Sequence, residues 1–356
     1  MNMNHPEKIE KLLNGTDGAL ITSPHNLRYF SGFAGGEGIA LIGSDFRYLF
    51  VDSRYTEEAR SEAPNFEVIE FKAGGLCAEI NNRLKSCGAL RLCFEDNEMT
   101  VSEYQRYSEK LTVSELCPIG DRADKVRMVK TDEEIERMRR AEKIGDIALG
   151  KTLPMLSAGI RECDIAAELE YRMRRLGAEG TSFDTIVVSG AKSAMPHGRP
   201  DEKMLEHGDL VTIDFGCVYK GYCSDMTRTF AIGDISDEKK KIYDTVLSAQ
   251  LTGLSAIRAG EKASDCDRAA REVIESADFG KYFGHSLGHG VGLKIHELPN
   301  LSPRSEVILE ENMIVTCEPG IYIGGLGGVR IEDMVAVKEN GCDILSSFTK
   351  ELIICR

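Results

Sequence analysis

The chain of 356 residues is 42% hydrophobic and 29% charged, which is typical of folded globular proteins and excludes a disordered, collagen-like or membrane-embedded chain. Its 58 acidic residues outnumber the 44 basic ones and give a net charge of −14, so nucleic acid is not an expected partner. At roughly 150 residues per domain, this length predicts two domains.

The beginning of the chain and its cysteines bear on the cellular compartment. The first eight residues contain no apolar segment like that of a signal peptide. No apolar run approaches the ~20 residues that span a bilayer. The eleven cysteines form no CxxC pair and no zinc-finger spacing, so reduced thiols are expected. These features predict a cytoplasmic protein with no membrane partner.

The first part of the chain, residues 1–125, alternates short apolar runs with helical segments, which predicts an α/β domain. The glycine-rich stretch 32–38 could be a phosphate-binding loop, but it precedes a strand instead of opening a helix, so a turn is expected. Buried strands are predicted at 19–21, 39–42, 48–51 and 90–94, and helices at 55–63 and 76–87.

A domain boundary is expected near Asp124, and the second domain, 126–356, starts with a helical signal. Thr131 and Glu134 have the spacing of a capping box, and apolar residues then recur at helical spacing as far as Ala148. Two further helices are predicted over 164–176 and from 236 to 257, each followed by glycine.

The segment 210–215 predicts a strand with one apolar face, and Asp214 lies on the other face. A hairpin that turns near 219–221 would place Asp214 directly opposite Asp225, with side chains roughly 5 Å apart. Two such carboxylates repel each other unless a cation or a shared proton lies between them. The pair therefore indicates either a metal site or a solvated hairpin.

The segment 284–297 holds three of the seven histidines of the chain among four glycines, and this density favours a functional site. Residues 284–288 also match the G-x-S-x-G pattern of the serine-hydrolase nucleophile elbow. That motif needs a buried strand before it and a helix after it, and the flanking sequence predicts neither. A serine hydrolase is therefore the less favoured interpretation of this segment.

Two more segments carry carboxylates at the ends of predicted strands. Glu318 ends the strand 313–317, and Arg330 and Glu332 lie two residues apart on one strand face, where the arginine could hold a neighbouring carboxylate. Either segment alone could form a structural salt bridge. Together, however, two Asp, one His and two Glu make the ligand set of a dinuclear divalent-metal site, with an oxygen-rich donor set that suits Mn²⁺, Co²⁺ or Fe²⁺.

These motifs are similar to those of a known family, the pita-bread metallopeptidases, which include methionine aminopeptidase, Xaa-Pro aminopeptidase (aminopeptidase P) and Xaa-Pro dipeptidase (prolidase). The resemblance covers residues 128–352 and implies an α+β pita-bread catalytic domain. It is carried by Ser189-Gly190, Pro196-His197-Gly198, Asp214-Phe215-Gly216, the stretches 224–229 and 285–296, Glu318-Pro319-Gly320 and the stretch 329–333.

The first 125 residues resemble the α/β creatinase-type N-terminal domain. Here the segments Ser31–Gly35 and Val51–Thr56 look more like aminopeptidase P than prolidase. We therefore expect an Xaa-Pro aminopeptidase acting on proline-containing peptides, with Xaa-Pro dipeptidase as the alternative. A creatinase-like hydrolase and a non-catalytic binding module are further, less favoured alternatives. A homodimer is also expected, with Arg54 of the N-terminal domain bordering the active site of the partner.

The resemblance also implies roles for individual residues in metal-assisted hydrolysis. Two divalent ions are expected, with Mn²⁺ preferred over Co²⁺, Fe²⁺ or Zn²⁺, and Glu318 would in addition accept a proton from the attacking water. Arg330 would hold a ligand carboxylate. Arg199 departs from the family pattern, because relatives often carry a smaller, uncharged residue there. The implied metal ligands are Asp214, Asp225, His289, Glu318 and Glu332, and the implied substrate-handling residues are His197, His285 and His296.

Overall fold

The computed structural model describes residues 6–356, which form two compact units. The first unit ends at Arg127 and the second is Met128–Arg356. Within the described residues, no helix combines the length and the apolar character needed to cross a membrane.

The first unit is a six-stranded mixed sheet with helices, in the order β4-β3-β2-β1-β5-β6. The pairs β1–β2 and β2–β3 are antiparallel and the other pairs are parallel. The strands are β1 Gly18–Ile21, β2 Ile39–Gly43, β3 Arg47–Val51, β4 Glu67–Glu70, β5 Arg91–Phe94 and β6 Glu115–Pro118. The helices are α1 Pro6–Leu13, α2 Pro24–Ser31, α3 Thr56–Glu62, α4 Leu76–Cys87, α5 Val101–Lys110 and α6 Arg122–Met128.

All four strands predicted for this unit are present, and the glycine-rich stretch 32–38 is a turn region that leads into β2. The strands β4 and β6 were not predicted. Both lie at the edges of the sheet and carry exposed glutamates, such as Glu67 and Glu115. Charged residues are usual on edge strands, and they remove the apolar pattern by which a buried strand is recognised.

The helices of the second unit are α7 Asp132–Thr152, α8 Glu162–Arg175, α9 Asp237–Ala256 and α10 Ala263–Ser276. The predicted capping box is present at the start of α7, where the Thr131 hydroxyl accepts the Glu134 amide at 3.3 Å and the Glu134 carboxylate accepts the Thr131 amide at 2.7 Å. Helix α10 was not predicted, because its buried stripe includes small residues such as Ala263, Cys266 and Ala270, which give a weak periodic signal.

The second unit contains a four-stranded sheet, a five-stranded sheet and two smaller sheets, in the orders β20-β12-β9-β8, β14-β13-β15-β18-β19, β11-β10-β7 and β16-β17. The first strands are β7 Gly180–Thr181, β8 Ile186–Ser189, β9 Leu210–Phe215, β10 Cys217–Tyr219, β11 Tyr222–Cys223 and β12 Met226–Ile232. The others are β13 Gly288–Gly290, β14 Glu297–Leu301, β15 Ile314–Cys317, β16 Gly320–Ile323, β17 Gly327–Arg330, β18 Asp333–Lys338, β19 Gly341–Ile344 and β20 Ile354–Cys355.

The strand β9 has the two faces that its sequence predicts. Val211, Ile213 and Phe215 are buried in a core that includes residues of α7 and α8. Asp214 lies on the other face, since side chains alternate along a strand. Packing of the apolar face therefore fixes the direction in which Asp214 points.

The prediction that Asp214 lies directly opposite Asp225 is wrong. The turn consists of Lys220 and Gly221, both with positive φ, and Tyr219 pairs with Tyr222. This two-residue turn suits a hairpin with positive φ at both central residues. Compared with a direct pairing of Asp214 with Asp225, the register is shifted by two residues, so that Thr227 is the partner of Asp214. Asp225 lies two residues before Thr227, so it remains on the same side of the ladder as Asp214.

Candidate metal centre

A pocket of about 820 Å³ in the second unit brings the predicted site residues together. Its walls come from β8, β9 and β13, from the segment after β15 and from the residues between β17 and β18. Segments far apart in sequence thus meet at one place. The lining includes His197, Arg199, Asp214, Asp225, His285, His289, His296, Glu318, Arg330 and Glu332.

Three of these residues form a compact donor cluster. One side-chain donor atom from each of Asp225, His289 and Glu332 lies within 4.8 Å of the donor atoms of the other two. The Nε2 atom of His289 is 3.5 Å from Oδ2 of Asp225 and 3.4 Å from Oε1 of Glu318. Asp225 and Glu332 are only 4% and 1% exposed. Oxygen and imidazole donors this close can share a divalent cation.

The carboxylates of this centre lack sufficient positive charge around them. Burial raises the pKa of Asp225 well above its ordinary value, and Glu332 and Asp214 raise it further. Burial, together with Glu318 and Asp214, likewise raises the pKa of Glu332. The pKa of Glu318 rises to about 7 through burial, against the opposing effect of Arg330. Divalent cations would supply the missing counter-charge.

Asp214 provides a further sign that the donor set fits metal. Its Oδ1 atom is buried without a hydrogen-bond partner among the described residues. Its Oδ2 atom accepts a hydrogen bond from Nη2 of Arg330. A buried carboxylate oxygen without a donor is costly unless a cation binds it. The five residues therefore fit divalent ions by charge, by donor type and by an oxygen without a protein partner.

Threonine side chains orient two carboxylates among the candidate ligands. The Thr227 hydroxyl donates to Oε2 of Glu332 at 2.7 Å and accepts from Nε of Arg330 at 3.1 Å. The Thr316 hydroxyl donates to Oε1 of Glu318 at 3.1 Å. Such contacts fix carboxylates in place and matter for metal affinity. The Thr227 contact depends on the hairpin register, which places that residue opposite Asp214.

Tyr322 is a member of the site that the sequence did not reveal. Its hydroxyl accepts from Nη1 of Arg330 at 2.9 Å and lies 3.0 Å from Nε2 of His285. Burial raises the pKa of Tyr322 to about 12, so the phenol keeps its proton at neutral pH. A Cβ on Gly320 would lie 2.4 Å from this hydroxyl. Gly320, which follows Glu318-Pro319, thus leaves space for the hydroxyl. A glycine at this position is the sequence feature that indicates a side chain packed close to the backbone.

His285 is held by protein groups at both ring nitrogens. Its Nδ1 lies 2.9 Å from the carbonyl oxygen of Ser286, and its Nε2 contacts Tyr322. Burial lowers the pKa of His285 to about 4, so the ring is neutral. Because a carbonyl can only accept, Nδ1 carries the proton and Nε2 accepts from the phenol. In this arrangement neither nitrogen is free to donate to a substrate.

His197 and His296 differ from His285 in their surroundings. His197 is exposed at the pocket wall. The ring of His296 packs against that of His289, with centroids 4.4 Å apart. Burial, then His289 and His197, lowers the pKa of His296. Both histidines line the pocket and can contact a bound molecule. His197 is the exposed ring, and His296 is the ring whose lowered pKa favours the neutral form.

Glu142 of α7 is a second residue that sequence reasoning missed. Its Oε1 atom accepts the backbone amide of Asp225 at 3.0 Å, and the side chain is 1% exposed. Burial raises its pKa to about 8. Nothing in the local sequence marks it, because it is one of several acidic residues in a long helix. Its effect is to fix the backbone that carries Asp225.

The G-x-S-x-G match does not form a nucleophile elbow. A short 3₁₀ helix, Gly280–Tyr282, precedes it, and the strand β13 follows it. An elbow requires the opposite order, a strand before the serine and a helix after it. Ser286 lines the pocket without the geometry of a nucleophile, which agrees with the interpretation favoured above.

Fold and site together define a metal-dependent peptidase with a creatinase-type N-terminal domain and a pita-bread catalytic domain. Residues 136–339 match the model of metallopeptidase family M24, and residues 10–129 match that of the creatinase/prolidase N-terminal domain. The chain belongs to metallopeptidase family M24. Both predicted domain folds and the predicted class of enzyme, a metal-dependent Xaa-Pro peptidase, are confirmed.

Individual relatives are similar over nearly the whole chain. The Xaa-Pro dipeptidase of Pyrococcus furiosus is 40% identical over 98% of this chain and 99% of that protein. The structure of an Xaa-Pro dipeptidase from Bacillus anthracis is 44% identical, with a TM-score of 0.94 over 98% of this chain and 99% of that one. An X-Pro aminopeptidase from Thermotoga maritima is 41% identical, with a TM-score of 0.91 over 96% and 98%.

These similarities place the chain in the Xaa-Pro dipeptidase, or prolidase, family. They support the dipeptidase alternative better than the aminopeptidase expectation. That expectation relied on two short N-terminal segments, Ser31–Gly35 and Val51–Thr56. Such short motifs carry less information than the identity over the full length of the chain.

Proposed function

We propose that the protein is an Xaa-Pro dipeptidase, which hydrolyses the bond before proline in free dipeptides. The convergence of five buried or half-buried candidate ligand side chains in one pocket carries the hydrolytic part of this proposal, and the dipeptidase relatives support the choice of substrate. Two divalent ions would be held there, and the oxygen-rich donor set favours Mn²⁺, with Co²⁺, Fe²⁺ and Zn²⁺ as alternatives. The ligands in this proposal are Asp214, Asp225, His289, Glu318 and Glu332.

Bound divalent ions supply a Lewis acid and lower the pKa of water, which is the chemistry that amide hydrolysis requires. The residues of the chain contribute the rest. Glu318, whose carboxylate lies 3.4 Å from His289 in the same cluster, would also accept a proton from the attacking water. Arg330 holds Asp214 and is itself held by Tyr322. These contacts pre-organise the centre before substrate binds.

Recognition of proline depends on the shape and chemistry of the pocket wall. The nitrogen of an Xaa-Pro bond carries no hydrogen, so it offers no donor to the protein. Phe183, Ile186 and Ile295 provide apolar surface for a pyrrolidine ring. His197 and His296 also line the pocket. In this proposal they donate to the carbonyl oxygen of the scissile bond, where negative charge develops during hydrolysis.

The second candidate is an Xaa-Pro aminopeptidase, which would cleave the same bond in longer peptides. It is favoured by the two N-terminal segments and by the similarity to the Thermotoga maritima structure. The substrates of the two activities differ at the carbonyl carbon of proline, which carries either a free carboxylate or an amide bond to more chain. The dipeptidase proposal is supported by relatives with that activity in their names.

The test compares kcat/KM for Met-Pro, Met-Pro-Ala and Met-Ala with Mn²⁺-loaded protein. We expect Met-Pro to be at least tenfold better than Met-Pro-Ala, about 1.4 kcal/mol in transition-state binding, and Met-Ala to be poor. If Met-Pro-Ala were the better substrate, the protein would be an aminopeptidase. If Met-Ala were cleaved as well as Met-Pro, selectivity for proline would be refuted.

A further inference from the structure

Two arginines line the pocket, and their surroundings are opposite in kind. Arg330 is 4% exposed and donates to Asp214, Tyr322 and Thr227. Arg199 is exposed, and within residues 6–356 it has neither a hydrogen bond nor an ion pair. Its guanidinium group is therefore a permanent positive charge in the pocket that the protein itself leaves available.

The backbone that carries Arg199 is held firmly in place. A Cβ on Gly198 would lie 2.6 Å from the Val188 side chain, so the chain at this point packs directly against β8. Before Arg199, Lys192 bridges the buried Glu162 at 2.6 Å and Asp201 at 2.7 Å. Arg199 thus extends from a segment anchored on both sides.

A second, partly buried network fixes the chain beyond Arg199. Nζ of Lys203 contacts the Ser189 hydroxyl at 2.7 Å and Oδ2 of Asp209 at 3.1 Å. The Ser189 hydroxyl in turn donates to Glu162 at 2.8 Å. These contacts pair Lys192 and Lys203 with the carboxylates of Glu162, Asp201 and Asp209. None of these three carboxylates is paired with Arg199.

A free guanidinium in a substrate pocket selects for a planar anion. Arginine binds a carboxylate through two parallel hydrogen bonds, which gives both strength and orientation. Acidic side chains at the same pocket, Asp184 and Glu170, make no ion pair with it within the described chain. A dipeptide substrate brings its own carboxylate, and extension beyond proline replaces that carboxylate with a neutral amide.

We propose that Arg199 binds the C-terminal carboxylate of the Xaa-Pro substrate and so sets the preference for free dipeptides over longer peptides. This inference rests on the proposed dipeptidase function. Arg199 is in this view a specificity-determining residue, which contacts the substrate and takes no part in bond cleavage. An acidic side chain on the residue before proline is the other source of a carboxylate, and the experiment separates the two.

The first arm uses Mn²⁺-loaded protein and compares kcat/KM for Met-Pro with Met-Pro amide, which differ only in the terminal charge. We expect wild type to prefer the free acid by at least tenfold. Arg199→Ala should lose most of that preference through a higher KM for Met-Pro, and should keep Met-Pro amide turnover within about twofold. Arg199→Lys should retain part of the preference. Arg175→Ala, at an exposed arginine of α8 outside the pocket, should match wild type.

The second arm compares Glu-Pro amide with Gln-Pro amide in the same proteins. The proposal predicts that Arg199→Ala leaves this ratio unchanged. A collapse of the Glu/Gln ratio with an unchanged acid/amide ratio would overturn the proposal and assign Arg199 to the side chain before proline. A wild-type acid/amide ratio in Arg199→Ala would overturn it as well.

A binding measurement keeps the two proposals separate if wild type fails to prefer dipeptides or cleaves none of these peptides. Calorimetric titration of the metal-loaded protein with L-proline and with L-prolinamide needs no turnover. A preference for proline in wild type that is lost in Arg199→Ala would support the role of Arg199 although the dipeptidase function had failed. Equal affinity of wild type for the two ligands would refute it.

Discussion

The hydroxyl of Tyr322 accepts a hydrogen bond of 2.9 Å from Nη1 of Arg330. Through a different nitrogen, Nη2, the same arginine donates to Asp214. The phenol therefore helps to set the orientation of a guanidinium that in turn sets the orientation of a proposed metal ligand. It also contacts His285 at 3.0 Å, so one hydroxyl connects two parts of the pocket wall.

This relationship predicts that Tyr322→Phe lowers activity without unfolding the protein. The ring remains and keeps its packing, whereas the hydrogen bonds to Arg330 and His285 are lost. Removal of such an outer contact typically costs 10–100-fold in metal affinity or activity, and we expect a loss of that size in kcat/KM for Met-Pro. Tyr171→Phe, at an exposed tyrosine of α8, is the matched control and should match wild type. Activity of Tyr322→Phe within twofold of wild type would show that the contact is dispensable.

The raised pKa values predict how stability depends on pH in the metal-free protein. The pKa of Glu318 is raised from 4.5 to about 7, and the pKa values of Asp225 and Glu332 are raised as well. These three carboxyl groups therefore bind more protons in the folded state than in the unfolded state. Their stabilising contribution is complete below pH ~4 and is lost as pH rises through the folded-state values. The metal-free protein should therefore lose stability from pH 5 to pH 8.

Bound ions favour the ionised carboxylates, so metal should stabilise the protein more at pH 8 than at pH 5. Thermal unfolding of chelator-treated and Mn²⁺-saturated protein at pH 5, 6, 7 and 8 measures this difference. We expect the gap in Tm between the two forms to widen as pH rises. A gap that stays constant across this range would mean that the three carboxylates do not titrate with metal binding.

The serine-hydrolase alternative makes a separate prediction at Ser286. Because Ser286 is preceded by a 3₁₀ helix and followed by a strand, it lacks the setting of a nucleophile. Ser286→Ala should keep at least a third of wild-type turnover, and a chelator should abolish activity in both proteins. Labelling of Ser286 by a fluorophosphonate, with activity that survives the chelator, would reverse the assignment of the chemistry.

The sequence predicted those parts of the site that lie in local motifs. Glycine-rich segments, strand ends and charged residues inside apolar strands pointed to the residues that the pocket brings together. Tyr322 was not predictable in this way, because its contact with Arg330 arises from the pairing of β16 with β17. Glu142 contacts Asp225 across 83 positions of the chain. Contacts of this kind depend on packing between elements, which residue patterns do not show.

The error in hairpin register has a similar origin. The sequence located the turn correctly at Lys220 and Gly221, but the spacing of the two aspartates suggested a direct pairing. The backbone conformation of the turn decided the register, and placed Thr227 opposite Asp214. In this register Thr227 contacts both Glu332 and Arg330.

Metal content and dipeptidase activity, measured on the same preparations of wild type and Asp225→Asn, test the central claim most directly. Asp225 lies within the compact donor cluster, and the substitution removes a charge while keeping the shape of the side chain. We predict two ions per chain in Mn²⁺-loaded wild type by elemental analysis. Asp225→Asn should lose at least one ion and at least 99% of Met-Pro turnover with an unchanged circular dichroism spectrum. Unchanged metal content and near-wild-type turnover in Asp225→Asn would contradict a dinuclear centre at this site.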